Sequence, residues 1–230
     1  MRMKMDKVVQ KAKQERGERR RPGQTVVPAH TVETSRDWQA PVYTQSRSEV
    51  MDMEQVAGNR CICALPDAPE SDHYRVLRTQ IQHITAEKGW KTIMVTSTQP
   101  GEGKTLTSIN LAFSFARAYH QTVLLVDCDF RRQCVHKYLG LRSEVGLIET
   151  LLDGVPISEA IVWPGVEKMA LISGGRTISE SSELLGSPMM KTMVLEMRNR
   201  YPDRYVFFDV PPILGGADAM AFAPLVDGVL

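Results

Sequence analysis

The stretch TSTQPGEGKT, Thr96 to Thr105, separates the apolar run KTIMV (91–95) from LTSINLAFSFARAY (106–119). Gly101, Gly103, Lys104 and Thr105 fall close together in it, the chemistry of a turn that holds something negative. Small residues let successive backbone N–H groups curl around an anion, and the helix that follows presents its positive N-terminus to the same charge. Gly103-Lys104-Thr105 closes the phosphate-loop pattern G-x-x-x-x-G-K-[ST]. Thr98 stands where the first glycine of that pattern belongs, and Gly101 still permits positive φ inside the loop. A dinucleotide fingerprint starting at Gly101-Glu102-Gly103 is disfavoured, because Leu106 occupies the place of its third glycine.

Outward from this loop, strand-like and helix-like segments alternate. KTIMVTS, QTVLLVDCD, KMALIS and RYVFFDVPP read as buried strands. Helical patterns fall on 69–89, with Tyr74, Leu77, Ile81 and Ile84 on one face, and on 103–120. VHKYLG, VGLIETLLDG and PISEAI read as short helices, and SSELLGSPMMKTMVLEMRNRYP as one or two more, with Met190, Met193, Val194 and Met197 facing the core. GADAMAFA reads as helical, and Val226 to Leu230 as the start of a strand. The expected fold is α/β, a mostly parallel sheet covered by helices on both faces. The end of the chain partway into a strand predicts that part of the sheet and a covering helix lie beyond Leu230.

Residues 1–21 are basic and expected to be helical, residues 22–66 are expected to be a flexible linker, and residues 67–230 the folded domain. The 230 residues carry a net charge of +1, which gives no global drive toward nucleic acid or an anionic membrane. No apolar run approaches the roughly 20 residues needed to span a bilayer, and the charged N-terminus lacks the apolar segment of a signal peptide. A cytoplasmic location is expected. Cys61, Cys63, Cys128 and Cys134 are expected to be reduced thiols, because no second cysteine pair matches Cys61-Ile62-Cys63 as a metal site.

Asp127 and Asp129 end one strand and Asp209 ends another. Ligands of open α/β sheets bind at the carboxyl ends of strands, so all three carboxylates can converge on the rim that carries the phosphate loop. Each alone could cap a helix; together with Lys104 and Thr105 they point to an Mg²⁺–nucleotide site. Pro211-Pro212 stops the strand beside Asp209. Arg131 and Arg132 suit a phosphate or an acidic neighbouring surface, and suit an ordinary surface equally well.

At these residues the chain resembles the bacterial tyrosine kinases of capsule and exopolysaccharide export. TSTQPGEGKT, VLLVDCDFRR and FFDVPP are similar to that family's Walker A, A′ and B motifs, and DHYRVLRTQI (Asp72 to Ile81) to its subunit-docking segment. The resemblance covers about residues 69–230 and implies a P-loop NTPase fold of the MinD-like class. It implies ATP bound by Pro100, Gly101, Glu102, Gly103, Lys104, Thr105 and Leu106, and Mg²⁺ held by Thr105, Asp127 and Asp209. Lys104, Asp127 and Asp129 are the implied catalytic residues, with either aspartate orienting or deprotonating the acceptor hydroxyl. Tyr74, Arg75, Leu77, Arg78 and Thr79 would form the homo-oligomer interface, and a membrane polysaccharide co-polymerase would be the activating partner at the inner face of the membrane. The family's C-terminal tyrosine cluster does not occur up to Leu230, so either it is expected beyond that residue, or the chain phosphorylates another protein, or it is not a kinase; Tyr43 is the tyrosine expected to be freely accessible. The rival readings are a MinD/ParA-like positioning ATPase, disfavoured by the lack of a lysine early in the loop, and a non-catalytic nucleotide-binding scaffold.

Overall fold

The computed structural model describes residues 46–65 and 68–230; the basic arm, the first half of the expected linker and Tyr43 lie outside them. In chain order the elements are β1 (Arg47–Ser48), α1 (Met53–Gly58), a 3-10 turn (Ile62–Ala64), α2 (Ser71–Lys88), β2 (Thr92–Val95), α3 (Lys104–Ala116) and β3 (Thr122–Asp127). Then come α4 (Val135–Leu139), α5 (Leu147–Leu152), α6 (Ile157–Ala160), β4 (Ile161–Trp163), β5 (Met169–Ile172), α7 (Ser181–Leu185), α8 (Pro188–Asn199) and β6 (Arg204–Asp209). A 3-10 turn (Ile213–Gly215), α9 (Asp218–Phe222), another 3-10 turn (Ala223–Leu225) and β7 (Gly228–Val229) complete the list.

The strands form one sheet in the order β1-β4-β5-β3-β6-β2-β7. Every pairing is parallel except β4 with β5. Strands β2, β3, β5 and β6 are buried along their whole length, the signature of a sheet covered on both faces. Alternate residues serve opposite faces. Met94, Leu124, Val126, Val206 and Phe208 pack with Leu147, Leu184, Met190, Val194, Met197 and Phe222 from α5, α7, α8 and α9. Ile93, Val95, Val123, Leu125 and Phe207 pack with Val56, Ile81, Ile109, Phe113, Phe115 and Leu139 from α1 to α4. Phe115 meets Phe207 edge-on, with ring centroids 5.0 Å apart, and Phe222 meets Phe208 likewise at 5.0 Å.

Register sets the site. Asp209 lies opposite Val95 on one side and Asp127 on the other, so the carboxyl ends of β2, β6 and β3 stand side by side. Each of those ends leads into one of the three motifs.

Two expectations need correction. Residues 46–65 of the expected linker carry β1, α1 and a 3-10 turn. Asp52 caps α1 by accepting from the N–H groups of Glu54 and Gln55, and Val56, Cys61 and Cys63 are buried. Elements of two to six residues held by distant partners leave no periodicity to read. Ile84, expected on one face with Ile81, is 50% exposed, because α2 lays Ile81 and Thr85 against the sheet instead. Gly89 ends α2 in the left-handed conformation, φ +64°.

Candidate functional site

The loop between β2 and α3 is held from both sides. The carbonyls of Ser97 and Thr98 accept from the N–H groups of Ile213 and Leu214, which strap it to the segment after β6. Gly101 and Gly103 sit at φ +86° and +91°, where a side chain is strained. No side chain caps the start of α3. The first-turn N–H groups of α3 therefore face the cleft as an anion cradle. The Glu102 carboxylate turns back to accept from the N–H groups of Thr98 (2.8 Å) and Gln99 (3.0 Å), which leaves its backbone to the loop. It shapes the loop from behind, while Pro100, Gly101, Gly103, Lys104, Thr105 and Leu106 line a cleft of about 510 Å³.

Lys104 is the centre of the charge arrangement. Its Nζ lies 3.0 Å from Asp129 Oδ2 and 3.3 Å from Asp209 Oδ2. Burial alone would lower the ammonium pKa, but the attraction of Asp209 and Asp129 outweighs it and raises the pKa above its ordinary value. Thr105 Oγ1 donates to Asp209 Oδ2 at 2.7 Å, and Ser108 Oγ lies 3.2 Å from Asp209 Oδ1. Asp209 is fully buried, and burial still pushes its pKa up against these favourable contacts.

Asp127 is equally buried but differently used. Its oxygens accept from the backbone N–H groups of Asp129, Cys134 and Val135, each at 3.1 Å, so it caps α4 across the turn. Burial first, then the neighbouring Asp209, raises its pKa to about 7. Of the Asp127–Asp129 pair, Asp129 is the one that lines the cleft.

Among the described residues, no group of three or more His, Cys, Asp or Glu could hold a metal ion unaided. In Mg²⁺–nucleotide sites phosphate oxygens and water supply most ligands and the protein adds one or two. Thr105 and Asp209 have the donor chemistry for it, with Asp127 beside Asp209 in register.

Three participants escaped the sequence reading. Ser108 is a fully buried hydroxyl in the apolar face of α3, one turn from Thr105, and that position was its available signal. Asp218 and Ser181 are both buried and joined by a hydrogen bond, and they hold Arg131: Nε donates to Ser181 Oγ at 2.7 Å, and Nη2 lies 3.7 Å from Asp218 Oδ2. Neither follows a strand, so no motif marks them.

The five α2 residues expected at an oligomer interface divide by face. Arg75 and Thr79 are exposed. Arg78 donates to the Ser114 carbonyl of α3, and Tyr74 and Leu77 pack partly into the core. Tyr119, just past α3, is 89% exposed, an accessible tyrosine among the described residues. Among the described residues, no helix is long and apolar enough to cross a membrane.

Residues 90–225 match the AAA domain family. Tyrosine-protein kinase YwqD of Bacillus subtilis (strain 168) is 36% identical over 163 residues, 71% of this chain and 68% of that protein. The succinoglycan biosynthesis transport protein ExoP of Rhizobium meliloti (strain 1021) is 31% identical over 170 residues, 71% of this chain and 21% of that protein. Among solved structures, the kinase domain of the Escherichia coli tyrosine kinase ETK superposes with a TM-score of 0.68 at 25% identity, covering 83% of this chain and 76% of that one. The septum site-determining protein MinD of Pyrococcus horikoshii OT3, complexed with Mg-ADP, reaches a TM-score of 0.50 at 20% identity over 60% of this chain and 56% of that one, a likeness of fold alone. With three motifs on one sheet rim, a Lys-Thr phosphate loop and these relatives, the chain belongs to the bacterial tyrosine-protein kinase family.

Proposed function

We propose that this chain transfers the γ-phosphoryl group of Mg-ATP to tyrosine hydroxyls of proteins, its own subunits included, in the control of exopolysaccharide or capsule export. The observation that carries the reading is Lys104 between Asp129 and Asp209 at the mouth of a glycine-shaped anion cradle, in a chain of this family. Bound Mg-ATP supplies the phosphoryl group and the cation that offsets its charge. The residues do the rest by position. The backbone of Pro100 to Thr105 and the α3 N-terminus cradle the phosphates, and Lys104 moves from its carboxylates to the phosphoryl oxygens. Thr105 and Asp209, with Asp127 behind, hold the cation directly or through water. Asp129 lines the cleft and is better placed than Asp127 to orient the acceptor hydroxyl and take its proton.

A membrane polysaccharide co-polymerase is the proposed activator and the Asp72–Ile81 segment the proposed contact between copies. The working place is the inner face of the membrane, and no nucleic acid is involved. Tyr74, Arg75, Leu77, Arg78 and Thr79 belong to that contact, with Arg75 and Thr79 on its outer side.

The test is transfer of labelled γ-phosphate from Mg-ATP onto tyrosine, with Lys104→Met and Asp129→Asn beside the parent chain and with a co-polymerase tail added. Phosphotyrosine that vanishes in Lys104→Met supports the reading. ATP hydrolysis without phosphotyrosine in any arm would instead place the chain with the positioning ATPases.

A further inference from the structure

A second hollow lies next to the phosphate cleft. It encloses about 190 Å³ and is lined by Arg131, Arg132, His136, Lys137, Ser143 and Thr177 among others. Arg131 and Arg132 also line the phosphate cleft, so the two spaces meet at these side chains. None of the residues lining the second hollow is a carboxylate.

The neighbouring charges differ in how they are matched. Arg176 bonds to Glu149 and Asp153 and is spent within the fold. Arg131 is anchored by Ser181 and the buried Asp218, which fixes where its guanidinium stands. Arg132 and Lys137 pair with no carboxylate among the described residues. Lys137 does not line the phosphate cleft, so its charge is additional to what nucleotide phosphates would use. His136 adds a buried Nδ1 with no hydrogen-bond partner, and burial and Lys137 hold its pKa below the ordinary value, so it adds a polar group and not a charge; the charges are the arginines and Lys137. In a chain of net charge +1 this is a local excess, and a concave basic site beside a reaction centre attracts and orients an anionic ligand.

We propose that the groove walled by Arg131, Arg132 and Lys137 docks an acidic stretch of the polypeptide that presents the acceptor tyrosine. The inference rests on the kinase reading and gives it a substrate class: tyrosines flanked by Asp or Glu. A concave hollow of this size takes side-chain carboxylates one or two at a time, whereas a bilayer presents a broad anionic plane. Docked acidic residues would pair with Arg132 and Lys137 while the tyrosine lies toward Asp129, shared ground between hollow and cleft being the two arginines.

The experiment measures fluorescence anisotropy of a labelled synthetic tyrosine peptide with flanking glutamates, and of its lysine-flanked counterpart, on the full chain, Lys137→Glu and Lys137→Arg. Lys137 is exposed, so neither change touches the core. The expected result is binding of the glutamate peptide alone, weakened about tenfold by Lys137→Glu and retained by Lys137→Arg, with the affinity for a fluorescent ATP analogue equal in all three. In phosphorylation of the glutamate peptide, Lys137→Glu then raises KM and leaves kcat in place. Equal binding of the two peptides, or no loss with Lys137→Glu, overturns the groove. So does Lys137-dependent binding of phosphatidylglycerol vesicles in the absence of peptide binding. The binding arms need no phosphoryl transfer: charge-selective binding without phosphotyrosine sinks the kinase reading alone, and phosphotyrosine without charge selectivity sinks the groove alone.

Discussion

Asp127 carries the most legible electrostatic tension in the site. Its folded-state pKa of about 7 stands above the ordinary 3.8, because it is buried and faces Asp209. The folded chain therefore holds this proton more tightly than the unfolded chain does. That contribution to stability is fully present below about pH 4 and is lost as pH rises through about 7. In the absence of nucleotide and Mg²⁺, the melting temperature should fall between pH 5 and pH 8, and Asp127→Asn should flatten that slope. An unchanged slope in the variant would mean that Asp127 is not the titrating group. A second residue-scale prediction concerns Gly103, at φ +91° in open space: Gly103→Ala should cost about 1 kcal/mol through backbone strain alone and weaken phosphate binding, read by thermal melts with and without nucleotide. The convergence of Lys104, Thr105, Asp129 and Asp209 on one rim was legible because strand ends and a Gly-Lys-Thr turn are local patterns. The turn of the Glu102 carboxylate back onto the loop was not legible, because it depends on which way one side chain points. Asp218 and Ser181 stayed hidden because their role exists only after α7 and α9 pack together.

At the scale of elements, segment 46–65 shows how long-range bonds replace periodicity. Asn110 on α3 is nearly fully buried; its Oδ1 accepts from the Cys63 N–H at 2.9 Å and its Nδ2 donates to the Arg60 carbonyl at 3.2 Å. One side chain thus fastens the 3-10 turn onto the helix that begins with Lys104. Asn110→Ala should cost about 1–3 kcal/mol, since it strands a buried N–H, and should raise proteolytic cleavage near residues 59–65 before the rest of the chain opens. The start of α5 is fixed by proximity instead. A Cβ on Gly146 would stand 2.2 Å from the Gly175 nitrogen and 2.4 Å from the Ser173 carbonyl, both backbone atoms. Gly146→Ala should therefore destabilise by about 2 kcal/mol or more, measured by denaturant unfolding, because the β5–α5 junction cannot yield. The four long buried strands were readable as apolar runs. Strands β1 and β4, of two and three residues, were not, and β4 runs against its neighbour at the far side of the sheet from the site.

For the molecule as a whole, the parallel sheet with two helical covers followed from the alternation of segments, and the site followed from the fold, since β2, β6 and β3 are neighbours. Contacts between copies are a separate matter. Val76 is 59% exposed on the outer side of α2 beside Arg75 and Thr79. If that side meets a second subunit, Val76→Asp should shift the chain toward monomer in light scattering and leave its melting temperature nearly unchanged. A large drop in melting temperature would show instead that the side chain serves the fold.

The position of Lys104 has a consequence for how the cleft responds to its surroundings. The ammonium is already neutralised, by Asp129 and Asp209, before any anion arrives. On the proposed reading, an incoming phosphate with its divalent cation would exchange partners: lysine would turn to phosphate, and the cation would take over the carboxylate. Little net charge is created or removed in the exchange, so few screening ions need to leave. Nucleotide affinity should then depend only weakly on ionic strength, while a ligand that meets the unmatched Arg132 and Lys137 should feel salt strongly. The same domain would hold two adjoining compartments, one indifferent to the ionic medium and one tuned by it.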